Sequence, residues 1–414
     1  MHSHDVVVIG AGQAGLSVSH LLSSAGIEHA VLEREAIGHA WKARWDSFTL
    51  VTPNWMIRLP GAEYAGAEPD AFLPRDEVID YLARYARSFD APVQTGVEVT
   101  EVVERDGSGY RVVTSGGELD ARAVVVASGS FQYPRRPAVG DLPPGVLDLH
   151  SSDYRNAQSL PPGAVMVVGS GQSGGQIAEE LYEAGRRVFM SVSRAGRMPR
   201  RYRGRDMSRW IAATGMLGQP ADKLEDPGRR FAANPHVSGK SGGHTINLHR
   251  FARDGVMLVG RLSAVDGRRV RFADDLANNL AAADRMANEA RRAVDGYIER
   301  EHIDAPPADE SNSDDYAGDD GFRQPPIDDL DLLAEGISTV IWSAGYSFDF
   351  SWVRPVALDA WGYPVQQRGV TDSPGLYFLG LNYLYLPTSS LLYGVGDDAR
   401  HVAGDINRYL GRSV

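Results

Sequence analysis

Residues 5–15 read DVVVIGAGQAG, and the reading of this stretch decides the fold. Val6, Val7, Val8 and Ile9 form an unbroken apolar run, the pattern of a strand covered on both faces. Gly10, Gly12 and Gly15 follow at GxGxxG spacing. The first glycine permits a tight strand-to-helix turn. The second leaves the backbone open to a pyrophosphate, and the third lets the helix pack close to the strand. The helix that follows the turn then offers unpaired N–H groups and a partial positive charge to phosphates. The next apolar run, His29 to Leu32, closes on Glu33, 23 positions after Gly10. A carboxylate there reaches ribose hydroxyls. The stretch predicts a dinucleotide cradle.

The pattern of strand, Gly-rich turn and helix start returns at residues 165–174, VMVVGSGQSG, with Gly169, Gly171 and Gly174. Gly26 follows Gly10 by 16 positions, and Gly185 follows Gly169 by 16. Each is placed to end the first helix of its unit. The two units differ at one informative place. Seven positions after Gly26 stands Glu33; seven after Gly185 stands Val192, followed by Ser193 and Arg194. Arg197, Arg200, Arg201, Arg203 and Arg205 come next. A 2′-phosphate is repelled by a carboxylate and held by a guanidinium. The first cradle therefore suits a dinucleotide with a free 2′-OH, and the second suits NADPH. A solvated basic loop is the other reading of these arginines.

The totals narrow the classes. The 414 residues are too many for one core. A net charge of −12 disfavours nucleic acid as a partner. The chain has no cysteine, which removes disulfides, thiolate metal sites and redox-active thiol pairs together. No metal site is expected. The first strand begins by residue 5, no apolar run has the length of a membrane span, and the expected location is the cytoplasm.

Along the chain, GHAWKARWDSFTLVTPNW (38–55) is aromatic and aperiodic. Trp41 and Trp45 there pack either against a flat ring, such as an isoalloxazine, or into the protein's own core. Asp76 to Phe89 has helical spacing. Gln94 to Val103 and Tyr110 to Thr114 alternate like strands around a turn at Asp106 to Gly109. Ala123 to Gly129 reads as a buried strand with a small-residue end that includes Ser128 and Gly129. Pro134 to Pro162 reads as a connector. Asp206 to Val259 is loop-rich, with His236, His244 and His249 as ordinary polar residues. Asp274 to Arg300 is a long amphipathic helix. Ala305 to Pro326 is an acidic surface segment, expected to be mobile. Ile337 to Gly345 and Gly375 to Gly380 are further buried strands. Gly394 to Gly396 leads into a helix whose N-terminus either faces a flavin carbonyl or is simply capped by Asp397. The expected fold is α/β, with two Rossmann-like dinucleotide-binding domains, the second inserted into the first. The expected boundaries are 1–157 with 336–414 for the first domain and 158–335 for the second.

Taken together, GAGQAG (10–15), GHAWKARWDSF (38–48), LVTP (50–53), LHSSDYR (149–155), GSGQSG (169–174), WSAGYSFDFSWV (342–353) and PGLYFLGL (374–381) resemble the class B flavoprotein monooxygenases. That group includes flavin-containing, N-hydroxylating, Baeyer–Villiger and indole-pyruvate (YUCCA-like) enzymes. The family fingerprint departs here in part. His150 and Tyr154 fit, Gly145 is one position out, and Leu142 stands nearest the expected Phe. An asparagine placed near the flavin in trimethylamine-type enzymes falls on Val51. The resemblance implies FAD in the first domain, held by Gly10, Gly12, Gln13, Ala14, Gly15, Glu33, Arg34, Trp41, Trp45, Thr52, Val99, Ser128 and Gly129. It implies NADPH in the second, held by Gly169, Gly171, Gln172, Ser173, Gly174, Ser193 and Arg194. Thr52, Asn54, Asn382 and Tyr393 are candidates for the flavin face. Trp55, Tyr383 and Tyr385 are candidates for an apolar substrate pocket or for plain core packing. The implied reaction reduces FAD with NADPH, captures O2 as a C4a-(hydro)peroxyflavin and inserts one oxygen into a small organic substrate at nitrogen, sulfur or carbonyl carbon. No catalytic side chain is singled out. A homodimer is compatible with this reading. An NADPH oxidase or diaphorase and a flavin-dependent redox sensor are the alternatives.

Overall fold

The computed structural model describes residues 3–106, 108–308 and 318–412. The opening apolar run is the strand Ser3–Ile9, at the centre of a seven-stranded sheet. Val6, Val7 and Val8 are fully buried, so the run has no wet face and no polar alternation. His29–Glu33 pairs with it in parallel on one side and Gly117–Val126 on the other. Val93–Thr95 extends the first flank, and Leu376–Phe378 joins Gly117–Val126, both in parallel. Tyr110–Thr114 and Val99–Glu104 complete the sheet as antiparallel strands. The expected strand Gln94 to Val103 is thus two strands at opposite edges of one sheet. Gly107, in the turn expected after it, lies outside the described residues.

The second apolar run is the strand Ala164–Val168, within a five-stranded, all-parallel sheet. The order across it is Leu147–His150, Ile337–Trp342, Ala164–Val168, Val188–Ser191 and Met257–Val259. This corrects two expectations. Leu147–His150 lies within the Pro-rich stretch read as a connector. Ile337–Trp342 lies within the span assigned to the first domain. Both pair with the second sheet, in the registers Leu147 with Thr339 and Val165 with Thr339. A fully buried parallel strand needs a neighbour on each side, and Ala164–Val168 takes one of its neighbours from far along the chain. The strand set therefore crosses the boundaries expected at 157/158 and 335/336.

One face of the second sheet is covered by an antiparallel sheet of Leu262–Asp266, Arg269–Phe272 and Asp329–Asp331. Its Val265, Val270 and Phe272 pack with Phe189, Val340 and Trp342. The helix Gln172–Glu183 covers the other face through Ile177 and Leu181. The long amphipathic helix is Leu276–Arg300, with Leu280, Ala283, Ala287, Ala290 and Val294 buried. The stretch read as loop-rich contains two helices, Met207–Thr214 and Leu248–Arg253, besides the edge strand Met257–Val259. The centre of the acidic segment, 309–317, lies outside the described residues. Among the described residues no helix is long and apolar enough to cross a membrane.

Candidate functional site

The two glycine-rich turns superimpose in kind, position by position. Gly10 has φ +107° and Gly169 +106°. A Cβ on Gly10 would sit 2.6 Å from the Ala127 carbonyl oxygen, and one on Gly169 would sit 2.6 Å from that of Ser343. Each turn thus lies directly against the small-residue end of the neighbouring strand. A Cβ on Gly15 would fall 1.8 Å from Gly10 O, and one on Gly174 would fall 1.9 Å from Gly169 O. These glycines are required by helix–strand contact alone. Gly12 differs, because a Cβ there would meet nothing within 4 Å. On Gly171 it would meet only Ala233 Cβ, at 3.9 Å. That space stays open for a ligand.

Both helices begin without help. Gln13–Ser24 and Gln172–Glu183 have glycine N-caps, no side-chain cap and no acid in the first turn. Their N-terminal N–H groups and positive dipole ends are therefore available to an anion. Gln13 and Gln172 use their amides to hold the surrounding chain. Gln13 Nε2 donates to Ser390 O at 3.0 Å and its Oε1 accepts from Trp41 Nε1 at 3.2 Å. Gln172 donates to Val237 O and accepts from Val237 N at 3.1 Å.

The cradles diverge where a ribose would sit. Glu33 accepts from Ala11 N at 2.8 Å and from Glu35 N at 2.9 Å. The second cradle has no carboxylate there. Ser193 N donates to Ser170 Oγ, which donates back to Ser193 O, both at 3.0 Å. Arg194 is exposed and forms no ion pair among the described residues. The later arginines are already engaged. Arg197 is 1% exposed and reaches Asp284 at 2.7 Å. Arg200 grips Asp206 with two hydrogen bonds, at 2.6 and 2.7 Å. Arg203 pairs with Asp295 at 3.0 Å. Arg201 donates to Gly242 O and Gly243 O, and the Arg205 guanidinium lies 4.6 Å from the Trp210 ring centre. They carry structure, and the solvated-loop reading fails for the buried Arg197 and Arg200, while Arg201 and Arg205 stay exposed.

Arg200 also joins the two sheets' units. Its Nη1 donates to Val51 O at 2.8 Å, and its guanidinium lies 4.7 Å from the Phe72 ring centre. A second seam runs from Ala221 N to Tyr385 O at 2.7 Å, and from Arg230 to Asp359 at 3.6 Å. The chain between 200 and 244 thus lies across the first unit beside the Thr52 turn.

The remaining candidates fall in distinct places. Ala14 lies in the first helical turn, Ser128 Cα would lie 3.4 Å from a Cβ on Gly10, and Gln132 Nε2 donates to Gly129 O at 2.9 Å. Val99 starts an edge strand two residues past Val97, whose N–H donates to Glu33 O at 3.0 Å. Arg34 is exposed, 3.7 Å from Glu98. Ser173 and Thr52 are half-buried. Trp45 is packed in the second unit's core beside Tyr154. Asn54 is 2% exposed and fully engaged, donating to Glu68 O at 2.9 Å and accepting from Leu73 N at 2.8 Å. Trp55 and Tyr393 meet edge to face at 5.8 Å. Asn382 O accepts from Tyr363 O–H at 3.0 Å. The Arg368 guanidinium lies 4.6 Å from the centre of the Tyr385 ring, and burial pushes the Tyr383 phenol up. The helix Val395–Tyr409 has no side-chain cap, so Asp397 does not cap it; Asp397 pairs with Arg400 at 2.8 Å. Burial raises the neighbouring Asp398 carboxyl despite Arg368 at 3.2 Å. His150 is a clamp that residue spacing alone does not reveal. It is 1% exposed, and its Nε2 donates to Gly345 O at 3.1 Å, fixing 150–152 against the end of Ile337–Trp342. Burial lowers its pKa. The signal for it was Gly345 at the place that Gly129 holds in the first unit.

Residues 7–215, half of the chain, match the family described as pyridine nucleotide-disulphide oxidoreductase. The chain belongs to this family. Along its full length this oxidoreductase is similar to the "Uncharacterized oxidoreductase CzcO-like" of Geobacillus kaustophilus, with 32% identity over 98% of this chain and 99% of that one. Indole-3-pyruvate monooxygenase YUCCA1 of Oryza sativa is 30% identical over 45% of this chain and 47% of its own. The flavin-containing monooxygenase from Stenotrophomonas maltophilia shares the fold, at TM-score 0.67 and 22% identity, over 99% of this chain and all of that one. The flavoprotein monooxygenase resemblance read from the sequence is borne out by these matches. The disulphide chemistry in the family's description needs a cysteine pair, and this oxidoreductase has none. The chain's own residues fit FAD and NADPH: two open second glycines, two uncapped helix starts, and a carboxylate in only one cradle.

Proposed function

We propose that the protein is an FAD- and NADPH-dependent monooxygenase that places one oxygen atom from O2 into a small organic substrate, at nitrogen, sulfur or carbonyl carbon. The observation that carries this reading is the pair of matched cradles that differ only in the ribose-side group, in a chain without thiols. Bound FAD would supply hydride acceptance from NADPH and activation of O2.

The chain's residues bind, orient and exclude water. The Gly10–Gly15 turn and the first helix start hold the FAD pyrophosphate, and Glu33 holds its ribose. Ser128, Gly129, Val99, Arg34 and Trp41 border that cofactor. Thr52 is positioned by the Arg200 grip on Val51. Gly169, Gly171, Gln172, Ser173 and Gly174 hold the NADPH pyrophosphate, and Ser193 and Arg194 meet the 2′-phosphate. The FAD domain consists of the seven-stranded sheet and its helices. The NADPH domain consists of the five-stranded sheet, including Leu147–His150 and Ile337–Trp342. The seam formed by residues 200–244 keeps bulk water from the reacting centre, where water would divert reducing equivalents to peroxide.

The test is NADPH consumption under isotope-labelled O2 against a panel of amines, sulfides and ketones. The expected result is a yellow protein and, for one of these classes, one labelled oxygen per NADPH consumed. Peroxide formed one-for-one with NADPH throughout the panel would overturn oxygenation in favour of an oxidase.

A further inference from the structure

One continuous segment touches both the second cradle and the first unit. Trp210 and His236 are fully buried, yet no residue from 211 to 235 is. The segment leaves the helix Met207–Thr214 at Gly215, whose φ of +71° turns the chain out of the helix. It has firm ends and no core of its own. That is the condition for a segment that opens while the rest of the fold stays shut.

Its two seats lie on different units. At the second cradle, a Cβ on Gly171 would meet Ala233 Cβ at 3.9 Å and nothing nearer. Ala233 thus overhangs the open glycine. Just past it, Gln172, the first residue of the cradle helix, holds Val237 through both its amide oxygen and its amide nitrogen. On the first unit, Ala221 N donates to Tyr385 O at 2.7 Å, the one hydrogen bond from 211–235 to that unit among the described residues. Arg230 pairs with Asp359 at 3.6 Å, and its guanidinium lies 4.9 Å from the Tyr363 ring centre. Phe231 meets the same ring edge to face at 5.6 Å. Arg230 and Ala233 are three positions apart, about 11 Å of fully extended chain. The attachment to the first unit and the overhang of the second cradle therefore cannot move independently.

We propose that residues 211–235 form a gate, closed over the first unit beside Tyr385 when NADPH fills the second cradle. This rests on the NADPH reading of that cradle. A pyrophosphate at Gly171 packs under Ala233, and the short link to Arg230 carries that contact to Asp359 and Tyr363. The nucleotide adds its own contact to a segment otherwise held by one hydrogen bond, one ion pair and a few ring contacts. Its arrival shifts the segment toward the closed seat, and its departure lets the segment lift. Closure beside Tyr385 thereby lasts as long as the nucleotide stays bound.

The test is amide hydrogen exchange, read by mass spectrometry on the protein as purified, with and without 2′-phospho-ADP-ribose. This probe carries the pyrophosphate and 2′-phosphate of NADPH but no nicotinamide. Titration calorimetry measures its binding in parallel. Peptides within 211–224 report on the Tyr385 seat, and saturating probe should slow their exchange about 5- to 150-fold. Asp359→Asn keeps the Oδ1 acceptor for the Trp361 and Tyr363 N–H groups and removes the charge that faces Arg230. It should leave the probe bound and confine the slowing to residues 231–237. Arg230→Gln should do the same. Bound probe with unchanged exchange in 211–224, or slowing as extensive in both variants as in the parent, would overturn the gate and leave the NADPH reading standing. A probe that does not bind would overturn the NADPH reading and the gate with it.

Discussion

The backbone N–H of Ala11 donates to Glu33 Oε2 at 2.8 Å. The carboxylate at the tip of the second strand thus organises the glycine-rich turn before any ligand arrives. In the second unit the same span is closed without a charge, through the Ser170 hydroxyl and the Ser193 backbone. On the proposed reading, one cradle is preset for hydroxyls, while the other takes a phosphate beside the exposed Arg194. This single contrast makes the two cradles unequal, since their glycines and helix starts match.

Glu33→Ala removes both the partner of Ala11 N–H and the ribose acceptor. Hydrogen bonds to charged groups are worth about 1.5–3 kcal/mol, so the FAD dissociation constant should rise roughly 10- to 150-fold. Glu33→Gln keeps an acceptor for Ala11 and should lose less. Flavin fluorescence titration measures both. An unchanged FAD affinity in Glu33→Ala would remove Glu33 from the site.

Gly15→Ala and Gly12→Ala should separate folding from binding. At Gly15 the new methyl would lie 1.8 Å from Gly10 O, an overlap that the backbone must relieve, at a cost of about 1–3 kcal/mol or more. At Gly12 φ is −81° and the space is open, so the unfolding midpoint should stay near that of the parent while FAD binding weakens. The same contrast should hold for NADPH at Gly174 and Gly171. Thermal unfolding without added cofactor, paired with cofactor titration, checks each. A Gly12→Ala variant that binds FAD normally would count against the cradle.

Much of this was legible locally. Glycine spacing and apolar runs are short-range signals, and they placed both turns, both first helices and the helix Leu276–Arg300. What was not legible depends on partners distant in sequence. Ile337–Trp342 reads as a buried strand wherever it pairs, and only its register with Val165 assigns it to the second sheet. Arg197 and Arg200 look like phosphate ligands in a list of arginines, but Asp284 and Asp206 neutralise them in the interior. Trp41 and Trp45 are four residues apart in one aromatic stretch, yet one bonds Gln13 and the other fills the second core.

Arg194→Ala should raise the KM for NADPH about 10- to 150-fold while changing that for NADH little, because a charge-assisted contact worth about 1.5–3 kcal/mol is lost only with the 2′-phosphate. Arg197→Ala should behave differently. It removes one of the two partners of the half-buried Asp284, whose bond from His249 at 3.0 Å remains, and should cost about 1.5–3 kcal/mol of stability without altering the preference between the two nucleotides. Steady-state kinetics with both nucleotides, and denaturant unfolding, distinguish the two. Equal effects of Arg194→Ala on NADPH and NADH would refute its phosphate role.

The pH dependence of stability should carry opposite signatures from two histidines beside the second cradle. His236 is fully buried. Burial is the main cause that holds its pKa down to about 4, and the charge of Arg197 adds to it against the opposing hydrogen bond to Ile246 O. Below its ordinary value of 6.5 the unfolded chain takes up a proton that the folded chain refuses. Its contribution is therefore complete above about pH 6.5 and is lost as pH falls toward 4. Between pH 6.5 and 5 that loss is about 2 kcal/mol. For His244, burial also pulls the pKa down, but the hydrogen bond and charge of Glu179 outweigh it and the net shift is upward. Its contribution is complete below about pH 6.5 and is lost as pH rises through the raised value. Denaturant unfolding at pH 5, 6.5 and 8 should show His236→Gln flattening the acid limb and His244→Gln flattening the alkaline one. If His236→Gln loses as much stability between pH 6.5 and 5 as the parent, the acid sensitivity lies elsewhere, in paired carboxylates that lose their charge as they are protonated.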